Sequence, residues 1–341
     1  MTEEKLLQDL ESQIHQVVEA QSDDFVHLTQ IVGLSLSQDF VDADLSDVNL
    51  GGADLIRANL RGTSLIRANL RGADLIRANL QDTTLIRANL RRANLSFSNL
   101  VQADLREAYL SLADLSSTDL SNARLNDADL MNAYLKNANL SKAQLIRANL
   151  SDAYLGGAKL LGADLRNANL HNVNFSGANL MGANLTNTNL SQANLCKANL
   201  QDAQIADANL NGANLRDVQV NSATKLSTKW YLVWSILNQS ASKRDFSGAD
   251  LSYTDLANVD FSFAQLSRAN LDSANLSLAN LFNADLTGAN LRNAQLLGAN
   301  LSDVSFKNTK VEQAIFGNNL GISSELKLDL LHRGAVFQDS V

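Results

Sequence analysis

A leucine, or a residue standing in for one, recurs at every fifth position from Leu45 to Val220, and the pattern resumes from Phe246 to Phe316. The first run holds 36 repeats and the second 15, about three-quarters of a 341-residue chain. The consensus is Ala-(Asn/Asp)-Leu-x-x, as in Ala58-Asn59-Leu60-Arg61-Gly62. A helix advances about 100° per residue, so every fifth leucine would be displaced by roughly 140° and no apolar stripe would form. A flat strand fails too, because five is odd and successive leucines would alternate faces. The chain must turn a corner within each repeat so that every leucine points to one axis.

The rest of the repeat fits that coil. Alanine, two before leucine, is the second inward residue, and only small substitutes stand there (Thr63, Thr83, Ser98, Thr118, Val173). The Asn or Asp just before leucine can bond backbone groups at the corner and stack on its equivalent in the next coil. Proline is absent, where average usage predicts roughly 17. Proline has no N–H for a neighbouring strand, so its absence implies a backbone whose donors are in continuous use. Like residues 20 apart at matching positions (Thr63/Thr83, Ser98/Thr118, Tyr134/Tyr154) suggest a 20-residue register, in which Tyr134 should stack on Tyr154 and Leu161 on Met181.

The pattern resembles the pentapeptide repeat family, over about 255 residues. The resemblance implies an all-β solenoid: a right-handed quadrilateral β-helix with four repeats per turn. To this the sequence adds short α-helical caps and one inserted helix. The expected organisation is an N-terminal helical cap over 1–38, repeats over 39–220, an inserted helix or linker over 221–245, repeats over 246–317, and a C-terminal helical cap over 318–341. In the leader, Leu6, Leu7, Leu10, Ile14, Val17 and Val18 fall on one helical face, with Thr2 as N-cap. From Val220 to Phe246 the register slips by one residue, and Ser227 opens a helix with Trp230, Val233, Trp234 and Leu237 on one face. Near the end, Ser323 or Ser324 caps a helix running to Arg333 with Gly334 as terminator. This tail is similar to that of many cyanobacterial members of the family. Open solenoid ends invite association, so two capped ends favour a monomer.

No constellation for chemistry emerges. His15, His27, His171 and His332 are scattered, and there is no phosphate loop, nucleophile elbow or CxxC. No enzyme activity, cofactor or metal is expected. The single Cys196 suits a reducing compartment. Absence of a signal peptide and of an 18-residue apolar run implies a cytoplasmic protein with no membrane insertion.

Charge is the sharpest local signal. Residues 1–50 carry one Lys against eleven acids, whereas residues 51–95 carry eight Arg against three Asp. Ile-Arg-Ala-Asn-Leu occurs four times, at 56–60, 66–70, 76–80 and 86–90. Ten residues span half a coil, so Arg57 should lie over Arg77 and Arg67 over Arg87 across the solenoid. Stacked like charges repel, and three readings fit: the acidic leader neutralises the cluster, an acidic partner or phosphate binds it, or it records tandem duplication without a role.

These observations point to a non-catalytic, regulatory scaffold for protein–protein interaction: a rigid rod presenting side-chain ladders to a protein partner. The candidate surface is Ile56, Arg57, Ile66, Arg67, Ile76, Arg77, Ile86 and Arg87, with Trp230 and Trp234 second, since tryptophan favours binding hot spots. Nucleic acid is not expected as a partner, because the chain is acidic overall. Two alternatives stand beside this. One is a mimic of DNA that binds a type II topoisomerase, a property the family resemblance brings in. The other is a purely structural assembly module.

Overall fold

The computed structural model describes residues 12–14, 29 and 34–338. The expected helical leader lies mostly outside the described residues; within it, residues 12–14 are helical, and Ile14 and Thr29 are buried. The chain forms two compact units: residues 1–209 with 219–225, and residues 210–218 with 226–341.

Both units are stacks of parallel coils with little regular secondary structure. Through most of both units the residue before leucine forms a parallel bridge to the residue 20 later: Asp54 to Asp74, Asp74 to Asn94, Tyr134 to Tyr154, and Asp260 to Asn280. Four five-residue repeats therefore complete one coil. The leucines and alanines line the axis almost without exposure.

One repeat shows why the period is five. Leu75 N–H donates to Asn94 O in the next coil (2.7 Å), Arg77 N–H to Ser96 O (3.1 Å), and Ala78 N–H closes a turn onto Leu75 O (2.9 Å). Asn79 N–H reaches back to Ala58 O (2.9 Å). The remaining donor, Ile76 N–H, goes to Asp74 Oδ1 (3.2 Å). All five amides of the repeat are used, which is the physical reason proline finds no place. The Asn or Asp before leucine is needed for the one donor that no carbonyl takes.

The same asparagines form ladders between coils: Asn79 Nδ2 donates to Asn59 Oδ1 (3.0 Å) and Asn99 Nδ2 to Asn79 Oδ1 (3.2 Å). Threonine at the alanine position keeps its hydroxyl satisfied inside the core, as Thr83 Oγ1 donates to Leu60 O (2.9 Å). Among the described residues no buried side-chain nitrogen or oxygen lacks a partner.

The corner itself is a turn whose third residue is left-handed. Arg57, Arg67, Arg77 and Arg87 have φ of 57–58° there, and Gly52, Gly62 and Gly72 occupy the same position at 68–69°. That is the φ > 0 requirement of a type II turn. An L-residue bears a cost of about 1–2 kcal/mol in this conformation.

In the first unit the register slip appears as Gln204 bridging Lys225, 21 residues on. In the second unit, helix α1 spans Thr228–Asn238, with Trp230, Val233, Ser235 and Ile236 buried. Helix α2 spans Ser324–His332, and Ser323 accepts from Leu326 N–H at its start. Strand β1 (Ile315–Phe316) then pairs in parallel with β2 (Val336–Phe337), and Arg333 Nη2 donates to the carbonyls of Phe306 and Thr309.

Candidate interaction surface

Each coil has four walls and four corners, and each repeat places two residues at a corner and one outward at mid-wall. The corner residues stack directly: Arg57 N–H donates to Ile76 O (2.9 Å), and Gly72 N–H to Arg91 O (2.9 Å). All eight arginines of residues 51–95 stand on corners and are exposed, but they do not form one cluster. Arg57 and Arg77 share one corner, and Arg67 and Arg87 the diagonally opposite one. The four isoleucines lie beside them; Ile56 is exposed and Ile66, Ile76 and Ile86 are half-buried.

The corners differ in how charge is met. Arg67 Nε donates to Asp47 Oδ1 (2.7 Å) and Arg87 Nε to Glu107 Oε2 (2.7 Å). Hydrogen bonding from Arg67 holds the Asp47 carboxyl below the usual carboxylate range. Arg61 lies 3.7 Å from Asp82. By contrast Arg57, Arg71, Arg77, Arg91 and Arg92 meet no carboxylate among the described residues. Two of them lie over rings instead, Arg91 at 4.4 Å from the Tyr109 centroid and Arg77 at 5.9 Å from that of Phe97.

These five occupy two neighbouring corners. Arg71, Arg91 and Arg92 precede, and Arg57 and Arg77 follow, the wall whose midline is Asp54, Asp74, Asn94 and Asp114. Farther along that wall the midline residues are Tyr134 and Tyr154, whose rings stack 5.1 Å apart with 6° between planes. The signal for this sorting was in the sequence: Arg71 and Arg77 bracket Asp74, three residues to either side.

The tryptophans of the second unit are differently placed. Trp230 is 7% exposed. Trp234 is half-buried and donates its indole N–H to Val218 O at 2.8 Å. Cys196 is half-buried at a corner. Among the described residues no group of His, Cys, Asp and Glu could hold a metal ion, and no helix is long and apolar enough to cross a membrane.

The parallel 20-residue ladder defines a β-helical repeat protein built from five-residue units. The family model for pentapeptide repeats matches over residues 39–75, 73–111, 113–152, 148–187, 178–217, 245–281 and 279–318, and the chain belongs to that family. Among solved structures it is similar to HetL, a pentapeptide repeat protein involved in heterocyst differentiation regulation from the cyanobacterium Nostoc, with 26% identity, 85% of this chain and 95% of that one covered, and a TM-score of 0.33. It is similar to alr5209, also a pentapeptide repeat protein from Nostoc, at 36% identity over 29% of this chain and 75% of that one, TM-score 0.21. A trypsin-treated form of QnrB1, a plasmid-mediated fluoroquinolone resistance protein, matches at 19% identity over 55% and 88%, TM-score 0.39. Among curated proteins none matches.

Proposed function

We infer that this protein is a non-catalytic regulatory scaffold that binds another protein through the outer walls of its coils, the solenoid being right-handed and closed by helices at both ends. The observation carrying this reading is the set of five exposed arginines, Arg57, Arg71, Arg77, Arg91 and Arg92, that have no carboxylate partner among the described residues. Stacking like charges in neighbouring coils costs stability, and an arginine fork gains most from a carboxylate brought by a partner. The candidate surface remains Ile56, Arg57, Ile66, Arg67, Ile76, Arg77, Ile86 and Arg87, with the α1 tryptophans Trp230 and Trp234 second.

The test is capture of partners from native-source extract by the full chain and by a variant with Arg57, Arg67, Arg77 and Arg87 all changed to Glu. A protein retained by the first and lost by the second supports the reading. Equal retention moves the surface to Trp230 and Trp234, and no retained protein counts against a scaffold.

A further inference from the structure

One wall of the first unit differs from the other three. Its N-terminal coils carry, on the two bounding corners, the five arginines that meet no carboxylate among the described residues. Its following coils carry large apolar side chains left in water. Phe97 is 59% exposed directly above Arg77, and Leu112 and Met131 are 43% and 41% exposed on the corner above Arg92 and Arg91. At mid-wall Tyr134 and Tyr154 are each 47% exposed. Beyond Tyr154 the midline shortens to Asn174 and Asn194, leaving an open concavity of about 330 Å³ bordered by Asn132, Asp152 and Asn172. Arginine, tyrosine, phenylalanine and methionine are the types enriched where proteins bind one another, and buried anchors of this kind supply most of an interface's energy.

We propose that this wall is the docking face for a single protein segment lying along the coil stack, acidic where it crosses Arg57, Arg71, Arg77, Arg91 and Arg92, and apolar where it crosses Phe97, Leu112, Met131, Tyr134 and Tyr154. This rests on the scaffold reading above and narrows it to one wall. With coils about 4.8 Å apart, the five coils from Arg57 to Tyr154 span roughly 24 Å. A helix of about 16 residues covers that distance, with its acidic and apolar stretches separated along its length. Charge complementarity chooses protein over nucleic acid. Asp54 and Asp74 run down the middle of the basic half, with Asp114 just beyond it, and repel a continuous phosphate backbone, whereas a protein can set a lysine or a neutral residue there. The stacked rings of Tyr134 and Tyr154 also cover each other's inner faces, so a base cannot slot between them.

The experiment places the photo-crosslinker p-benzoylphenylalanine at Ile56, at Tyr134, or at Gln144 in the full chain, irradiates it in native-source extract, and sequences the attached peptides. Gln144 is exposed on the opposite wall of the same coils and serves as the control. The expected result is that Ile56 and Tyr134 label one segment of one protein, within about 20 residues of each other, with acids near the Ile56 attachment and apolar residues near the Tyr134 attachment. Labelling from Tyr134 should fall at least tenfold when Arg57, Arg71 and Arg77 are changed to Glu, and stay within twofold when Arg67 and Arg87 are. Labelling from Gln144 alone overturns this assignment and leaves the scaffold reading standing. No labelling from any wall overturns both. Nucleic-acid adducts, or attached segments without acids, overturn the choice of partner.

Discussion

Several cations of unit two are held by acids of their own unit, whereas most arginines in the first coils of unit one meet no carboxylate among the described residues. In unit two Arg216 Nη1 donates to Asp255 Oδ2 (2.8 Å) and Arg216 Nη2 to Ala257 O (2.6 Å). Lys229 lies 3.1 Å from Asp250, Arg292 2.9 Å from Glu312, and Arg333 2.7 Å from Asp329. Each of these cations ties one part of the fold to another. Across residues 51–95, five of eight arginines meet no carboxylate among the described residues. A charge held by its own chain is part of the structure; a charge that is exposed and carboxylate-free is available to something outside it. The repeat imposes neither outcome, since both regions obey the same five-residue rule. What differs is whether the residue 20 away, or a neighbouring element, supplies an acid.

The largest break between the two classes should come at Arg216. Its side chain is 29% exposed and that of Asp255 24%, so Arg216→Gln takes the cation from a half-buried carboxylate that keeps only Asn275 and Ala257 N–H as donors, and takes the Arg216 donor from the Ala257 carbonyl. We expect a loss of about 2–3 kcal/mol, read as a lower urea midpoint. Arg77→Gln should change the unfolding free energy by less than about 0.5 kcal/mol. If Arg77→Gln costs as much as Arg216→Gln, Arg77 is a structural residue and the contrast fails.

Much of this was legible in the residues themselves. Leucine at a period of five demands a corner per repeat, the family resemblance implies the 20-residue register that Thr63/Thr83 and Tyr134/Tyr154 support, and the stacked tyrosines sit where that register puts them. The pairing of Arg67 with Asp47 and of Arg87 with Glu107 follows from the same arithmetic, yet it is easily missed because the repeated Ile-Arg-Ala-Asn-Leu motif draws all four arginines into one apparent cluster. The left-handed corner also had a signal, since glycine or asparagine recurs two residues after leucine (Gly52, Gly62, Gly72, Asn132, Asn137). The α1 face was harder. Ile236 is buried and Trp234 only half so, because α1 packs on irregular coil edges whose carbonyls, Val218 and Leu215 among them, take the indole and Asn238 donors. Periodicity alone does not describe such a surface.

Exposed ion pairs form the middle of the scale. Arg67→Gln and Arg87→Gln should each lower the urea midpoint less than Arg216→Gln does, by an amount that shrinks as salt is raised. Acid offers a second measurement. Hydrogen bonding from Arg292 lowers the Glu312 carboxyl from its ordinary 4.5 to about 2. A carboxyl lowered by folding contributes stability in full above about 4.5, and loses it as pH falls toward 2. Carboxyl NMR titration should show Glu312 ionising near the lower value, and at a higher pH in Arg292→Gln. No movement on that substitution would mean the pair is not formed in solution.

The smallest effect bears most directly on why the free arginines are there. Arg57 and Arg77 hold a left-handed turn position that the chain fills with Gly52, Gly62 and Gly72 at equivalent corners. Glycine adopts that conformation without the Cβ penalty, although it also gives the unfolded chain more freedom. Arg57→Gly and Arg77→Gly should therefore leave stability equal or raise it by about 0.5 kcal/mol each, while removing the cations the proposed face requires. Thermal and urea unfolding of the double variant measure the first consequence, and labelling from Tyr134 measures the second. A more stable protein that no longer engages its partner would show that these arginines stand at the corner at the expense of the fold. A clear loss of stability would show that they support the coil, and the contrast between tied and free arginines would no longer separate structure from recognition.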